Sequence, residues 1–156
     1  MLILSRNPDV RTAMTTVLLI DDDPLILMAL EWLMVEWGFH VVAAGSQEEA
    51  SEKLGQSCPP ALMVVDWRLP GSRTGADAIA CVRSLLQQNI PAIIVTGEPS
   101  NRSMRSVEDC GCLVLQKPFS PAMLKAVVDD VLAGAEKADR RQATKAPLSK
   151  RTIRSE

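Results

Sequence analysis

The chain has 156 residues, enough for one domain with some chain to spare. Hydrophobic residues make up 47% of it but aromatics only 3%, so any core it builds is aliphatic. A formal net charge of −2 excludes bulk electrostatic attraction to nucleic acid or a membrane surface, and no apolar run reaches the about eighteen residues a membrane-spanning helix needs.

Residues 1–15 hold a short Leu-Ile-Leu run with no basic residue before it, too short for a secretion signal, and read as an N-terminal extension. The first element follows in Val17–Pro24, VLLIDDDP. Its four apolar residues predict a strand buried on both faces. Three carboxylates and a proline then stand together. One reading is an acidic helix start, with Asp23 as N-cap and Pro24 at the first helical position; it leaves Asp21 and Asp22 unexplained. The other is a ligand site at the end of a strand. Like charges this close repel, and a hard divalent cation such as Mg2+ is a suitable counter-charge.

Leu25–Trp37 is interrupted only by Glu31 and Glu36 and ends before Gly38, which predicts a helix. It is apolar on most sides, so it is either deeply buried or covered by a partner. Phe39–Ala44 predicts a second strand. Ser46 and Glu49 have capping-box spacing, opening a helix that runs to about Leu54. Cys58-Pro59-Pro60 breaks the chain, and Ala61–Asp66 is a third strand that again ends in aspartate. Residues 70–75, Pro-Gly-Ser-Arg-Thr-Gly, read as a loop. A stripe of Ile79, Val82, Leu85 and Leu86 predicts a helix over 76–88. Pro91 leads into a fourth strand, Ala92–Thr96. Ser100–Asp109 is polar and weakly helical. Cys112–Gln116 is a fifth strand, halted by Lys117-Pro118. Ser120-Pro121 starts a last helix carrying Leu124, Val127, Val128, Val131 and Leu132, with Gly134 as its stop.

From Glu136 to Glu156 there are seven Lys or Arg against three acids and no apolar period. This reads as a disordered, solvated basic tail or a linker stub, too short for a DNA-binding domain, so no direct DNA contact is expected. The four cysteines, Cys58, Cys81, Cys110 and Cys112, have no framework spacing, and one His is too few for a metal centre. They read as reduced thiols of a cytoplasmic protein, with Cys110 and Cys112 better read as small buried hydrophobes than as metal ligands.

Five strands alternating with five helices imply an α/β fold, a doubly wound parallel sheet. Four of the strands then end in polar groups at one edge: Asp21 and Asp22, Asp66, Thr96, and Lys117. Singly, each has an ordinary structural explanation. Together they form a site with a coherent chemistry, phosphoryl transfer. The carboxylates hold a cation, the hydroxyl and the ammonium balance phosphoryl oxygens, and one carboxylate is free to attack phosphorus.

The stretches VLLIDDDP, VVDWRLPG, AIIVTGE and LQKPFSP, in this order and on these elements, resemble the receiver domain of bacterial two-component response regulators. The resemblance runs from about Thr16 to Gly134. It implies a flavodoxin-like receiver over residues 16–135. By that resemblance Asp66 is the phosphoacceptor, Thr96 the switch hydroxyl and Lys117 the phosphate-binding lysine. Asp22 binds Mg2+ directly and Asp21 through water, with Asp66 and the backbone carbonyl of Arg68 completing the protein ligands. The Lys117–Pro118 bond is expected to be cis. Arg68 and Glu98 flank the acceptor as candidates for tuning hydrolysis, Gly97 leaves room for water or a partner, and Trp67 is placed to report Mg2+ by fluorescence. Two departures stand out. The loop from Asp66 to Gly75 is one residue longer than in the single-domain chemotaxis receiver. Val114 occupies the position where many receivers carry an aromatic switch residue.

The implied role is signalling, not catalysis. A histidine kinase or histidine phosphotransfer protein donates the phosphoryl group, and a downstream protein target reads a changed surface. Leu25–Trp37 and the face of the last two helices are candidate homodimer surfaces. Two rivals exist. The Asp-x-Asp of haloacid dehalogenase-type phosphohydrolases fits Asp21–Asp23, but Pro24 stands where that family puts a small residue, and no cap domain is visible. A pseudo-receiver that is never phosphorylated is disfavoured because all five site positions are filled.

Overall fold

The structure, a computed structural model, describes residues 15–145. The elements in order are β1 (Thr16–Ile20), α1 (Pro24–Glu36), β2 (His40–Ala44), α2 (Gln47–Leu54), β3 (Leu62–Asp66), β4 (Arg68–Leu69), β5 (Arg73–Thr74), α3 (Gly75–Leu86), β6 (Ala92–Thr96), α4 (Asn101–Cys110), β7 (Leu113–Gln116) and α5 (Pro121–Lys145). Five strands form one parallel sheet in the order β2-β1-β3-β6-β7. The chain winds outward from β1 in both directions, the doubly wound flavodoxin-type order.

Alternation along each strand divides the core into two. Val17 and Leu19 of β1, with Leu62, Val64, Ile93, Val95 and Leu115, face α1 and α5 through Leu30, Met34, Leu124 and Val128. Leu18 and Ile20, with Met63, Val65 and Ile94, face α2, α3 and α4 through Ala50, Leu54, Ile79, Val82 and Val107. Because both faces are covered, the strands read as unbroken apolar runs.

Helix starts are set by side chains that replace missing backbone partners. The Asp23 carboxylate accepts from the amides of Leu25 (2.9 Å) and Ile26 (3.3 Å). At α2, Ser46 accepts from Glu49 N–H, and Glu49 accepts from Gly45 N–H, one residue before the cap. Thr74 with Asp77 and Ser100 with Ser103 form reciprocal boxes at α3 and α4.

Three expectations need revision. Gly134 does not stop the last helix: α5 runs 25 residues to Lys145, and 136–144 are exposed. A helical glycine costs only about 1 kcal/mol relative to alanine, and Ala133, Ala135 and Ala138 are strong helix formers. The first part of the basic segment is thus solvated helix rather than disordered tail; residues 146–156, like 1–14, lie outside the described residues. The loop over 70–75 belongs to a small antiparallel hairpin, with Arg68 opposite Thr74 and Leu69 opposite Arg73. Cys110 and Cys112 are joined as a disulfide instead of being free thiols, while Cys58 and Cys81 are free. For α1, which the sequence leaves either deeply buried or covered by a partner, the structure excludes only the first. The helix buries Leu30 and Met34 and leaves Leu25, Met28, Trp32 and Val35 exposed. Among the described residues no helix is long and apolar enough to cross a membrane.

Candidate functional site

The C-terminal ends of β1, β3 and β6 stand side by side, because parallel pairing sets Ile20 beside Val65 and Asp66 beside Val95. The residues that follow these strands share one edge of the sheet. Asp21 directly follows β1, its amide donating to the Ala44 carbonyl (3.1 Å). Its side chain is buried, and its Oδ1 accepts from the Asp23 amide (2.9 Å). Asp22 is exposed beside it. Asp66 closes β3. Ligand oxygens of Asp21, Asp22 and Asp66 all lie within 4.8 Å of one another.

Lys117 reaches this cluster from the segment after β7. Its amide donates to the Thr96 carbonyl (2.8 Å), and the Lys117–Pro118 bond is cis, as the resemblance implies. Its Nζ lies 3.2 Å from Asp66 Oδ1 and 3.8 Å from Asp21 Oδ2. Two of the three carboxylates therefore share one ammonium. Burial, more than the neighbouring Asp66 and Asp22 charges, pushes the Asp21 carboxyl above its ordinary value; the Asp23 amide and Lys117 pull it back only in part. An oxygen-lined cluster with uncompensated negative charge, half open to solvent through Asp22, fits a hard divalent cation.

A cleft of about 350 Å3 opens beside the cluster, lined by Asp66, Trp67, Arg68, Thr96, Gly97, Glu98 and Lys117. Thr96 is buried at the end of β6. The Arg68 guanidinium and the Glu98 carboxylate stand 4.0 Å apart, both well exposed, across the mouth of this cleft. Trp67 is half-buried against the core, its amide bonded to the Val95 carbonyl. Val114 is paired with Ile94 in the sheet and packs, half-buried, against the α2–α4 side of the core. The cleft therefore gathers the expected residues apart from Asp21 and Asp22, which adjoin it through Asp66, and Val114, which sits within the sheet.

One residue at the site escapes a reading of the sequence by motif. A Cβ on Gly75 would lie 2.5 Å from the Asp66 carbonyl oxygen. The start of α3 packs directly on the Asp66 backbone, and the Gly75 amide donates to the Trp67 carbonyl (2.8 Å). The available signal was a glycine at the first position of an otherwise ordinary helix.

Residues 17–129 match the family model of the response regulator receiver domain. The chain belongs to this family. Phyllosphere-induced regulator PhyR of Methylorubrum extorquens is 34% identical over 131 residues, covering 83% of this chain and 48% of that protein. Phosphate regulon transcriptional regulatory protein PhoB of Escherichia coli is 29% identical over 119 residues, 74% of this chain and 51% of that protein. The chain thus spans about half the length of these relatives. Among solved structures, a CheY-like receiver domain protein from Methanospirillum hungatei superposes with a TM-score of 0.72 at 24% identity, covering 80% of this chain and 98% of the other. Vibrio cholerae chemotaxis protein CheY4 gives 0.69 at 26% identity, covering 76% and 98%. Receiver domains are signalling modules that work with histidine kinases and downstream effectors, and they bind Mg2+ at an acidic pocket.

Proposed function

We propose that Asp66 is the phosphoacceptor of this receiver, within a unit spanning residues 16–135, and that Asp21, Asp22, Asp66 and the Arg68 carbonyl hold Mg2+. The observation that carries the reading is the meeting of Asp66 with Asp21, Asp22 and the Lys117 ammonium at one sheet edge. When bound, the cation would supply charge neutralisation for phosphoryl oxygens.

The chain's own residues do the rest. An Asp66 oxygen bonds to phosphorus as the phosphorus–nitrogen bond of a donor phosphohistidine breaks, and the leaving imidazole keeps the electron pair. Lys117, already paired to Asp66 at 3.2 Å, offsets charge on the new acyl phosphate. The Thr96 hydroxyl, in the same cleft, bonds a phosphoryl oxygen. The carboxylate's single charge becomes about two, with strong acceptor oxygens, so Thr96 and the segment after it are drawn toward Asp66. That biases a two-state rearrangement of α4, β7 and α5. Val114 cannot supply the aromatic half of such a switch, so Thr96 carries it with the backbone. Arg68 and Glu98 control water at the cleft mouth, and Gly97 leaves the approach open.

The donor is a histidine kinase or histidine phosphotransfer protein, in the cytoplasm, and the output is a downstream protein target that reads the changed surface. The exposed apolar face of α1 and the α4–α5 face are the surfaces available to partners or a second copy. The test is direct. Acetyl phosphate with Mg2+ adds one phosphate to wild type, read by intact mass, and none to Asp66→Asn. Equal labelling of both would end the assignment, and steady turnover of p-nitrophenyl phosphate would favour the phosphohydrolase reading.

A further inference from the structure

We propose that Cys110 and Cys112 are a reversible thiol–disulfide switch, closed by exchange with low-molecular-weight disulfides, at the edge of the sheet opposite the phosphoryl site. Cys110 ends α4, and Cys112 directly precedes β7, so the pair bridges a helix end and a strand start. Gly111 between them caps α4 in the left-handed region (φ 65°), a conformation that glycine adopts without cost. This turn folds the two cysteines toward each other, with Cα atoms 5.5 Å apart, within disulfide reach. The sulfurs are bonded in the structure.

A second side chain is built around the pair. Arg83 of α3 crosses to this corner, where its Nε donates to the Ile90 carbonyl (2.9 Å) and its Nη1 to the Cys110 carbonyl (2.6 Å). Its Nη2 lies 4.0 Å from Cys112 Sγ. A guanidinium held in place by two carbonyls favours an anionic sulfur beside it. Access differs between the two cysteines. Cys112 is buried, while Cys110 is half-buried and, with Arg83 and Gly111, lines an open cavity of about 1080 Å3 that continues along Gln88, Asn89 and Gln142.

These positions assign the steps. The Cys110 thiolate attacks a small disulfide such as oxidised glutathione, forming a mixed disulfide and releasing one glutathione thiol. The Cys112 thiolate, beside Arg83, then attacks the Cys110 sulfur, and the second glutathione leaves as thiol. One disulfide is reduced and one is formed, with two protons passing from the protein thiols to the two glutathiones. Closing the ring ties the C-terminal end of α4 to β7. Among α4 residues only Ser103 and Val107 are buried, so the helix is otherwise lightly held. The redox state thereby sets how firmly α4 stands, independently of whether Asp66 is phosphorylated.

The test uses the full chain in oxidised glutathione, then alkylation and peptide mass mapping. In wild type the 110–112 peptide closes as an internal disulfide without retained glutathione. Cys112→Ser retains one glutathione on Cys110, and Cys110→Ser takes up none at Cys112. Arg83→Gln slows ring closure about tenfold near neutral pH, and Arg83→Lys restores part of the rate. Hydrogen exchange of α4 amides is slower in the oxidised than in the reduced protein. Free, alkylatable Cys110 and Cys112 in wild type after oxidation, glutathione retained on wild-type Cys110, or identical α4 exchange in the two states would overturn the proposal.

Discussion

Lys117 is a single cation facing two carboxylates that need it, at 3.2 Å from Asp66 and 3.8 Å from Asp21. A cation bound nearby competes with it for the same oxygens. Removing the ammonium should therefore strengthen metal binding: Lys117→Ala is expected to bind Mg2+ several-fold more tightly than wild type, read as a lower midpoint in a Trp67 fluorescence titration. Asp21 shows the complementary effect. Its folded-state pKa lies above the unfolded value of 3.8 because burial disfavours the carboxylate. The folded protein thus holds this proton more tightly than the unfolded chain, and the ionised group opposes folding at neutral pH. Asp21→Asn is expected to raise the Tm of the metal-free protein at pH 7. The gap should close as the pH falls through the raised pKa, where wild-type Asp21 takes up its proton. Mg2+ should raise the Tm of wild type much more than that of Asp21→Asn. Thermal scans with and without Mg2+ across pH check all three points. These residues were legible because each ends an apolar run in a charge. Gly75 was not legible as a site residue, since its importance lies in a close approach to Asp66 and not in any chemistry of its own.

Among the elements, the start of α3 is one whose placement bears directly on Asp66. Gly75→Ala sets a methyl 2.5 Å from the Asp66 carbonyl oxygen. It should cost about 1–3 kcal/mol of stability by denaturant unfolding and, on the proposed role of Asp66, reduce phosphoryl uptake, because the shift falls on the Asp66 backbone. The start of α1 behaves differently. Asp23→Ala removes two amide contacts and should cost about 1 kcal/mol while leaving Asp66 labelling intact. The Asp23 cap and the Ser46–Glu49 pairing were readable, since capping is local and recurs at fixed spacing. The Thr74–Asp77 box was hidden inside a stretch of Pro, Gly and Ser that reads as loop, where a two-strand hairpin also forms. The end of α5 was misread for the opposite reason. A lone glycine carries a small helix penalty, and the alanines around it outweigh that penalty.

For the molecule as a whole, stability rests on two aliphatic layers, one on each face of the sheet. Leu124, fully buried between α5 and the strands, is a fair gauge of the α1–α5 layer: Leu124→Ala should cost about 2–5 kcal/mol in chemical denaturation. The exposed continuation of α5 beyond Glu136 adds nothing to either layer. Exposed side chains on this stretch should therefore matter little: Lys137→Ala and Arg141→Ala should each change the unfolding free energy by less than about 0.5 kcal/mol. The contrast with Leu124→Ala, on the same helix, separates the packed receiver body from its solvated extension.

Strand and helix types, the order of elements and the polar residue ending each of four strands were all written in the chain. They depend on short-range periodicity and on caps that span three or four residues. The family resemblance supplied the roles. Distances came from folding alone. That Lys117 stands between Asp66 and Asp21, and that Arg83 of α3 reaches the Cys110–Cys112 corner, follow from parallel pairing between strands far apart in the chain. Such long-range register is set by how two whole layers of side chains pack together, which no local pattern encodes.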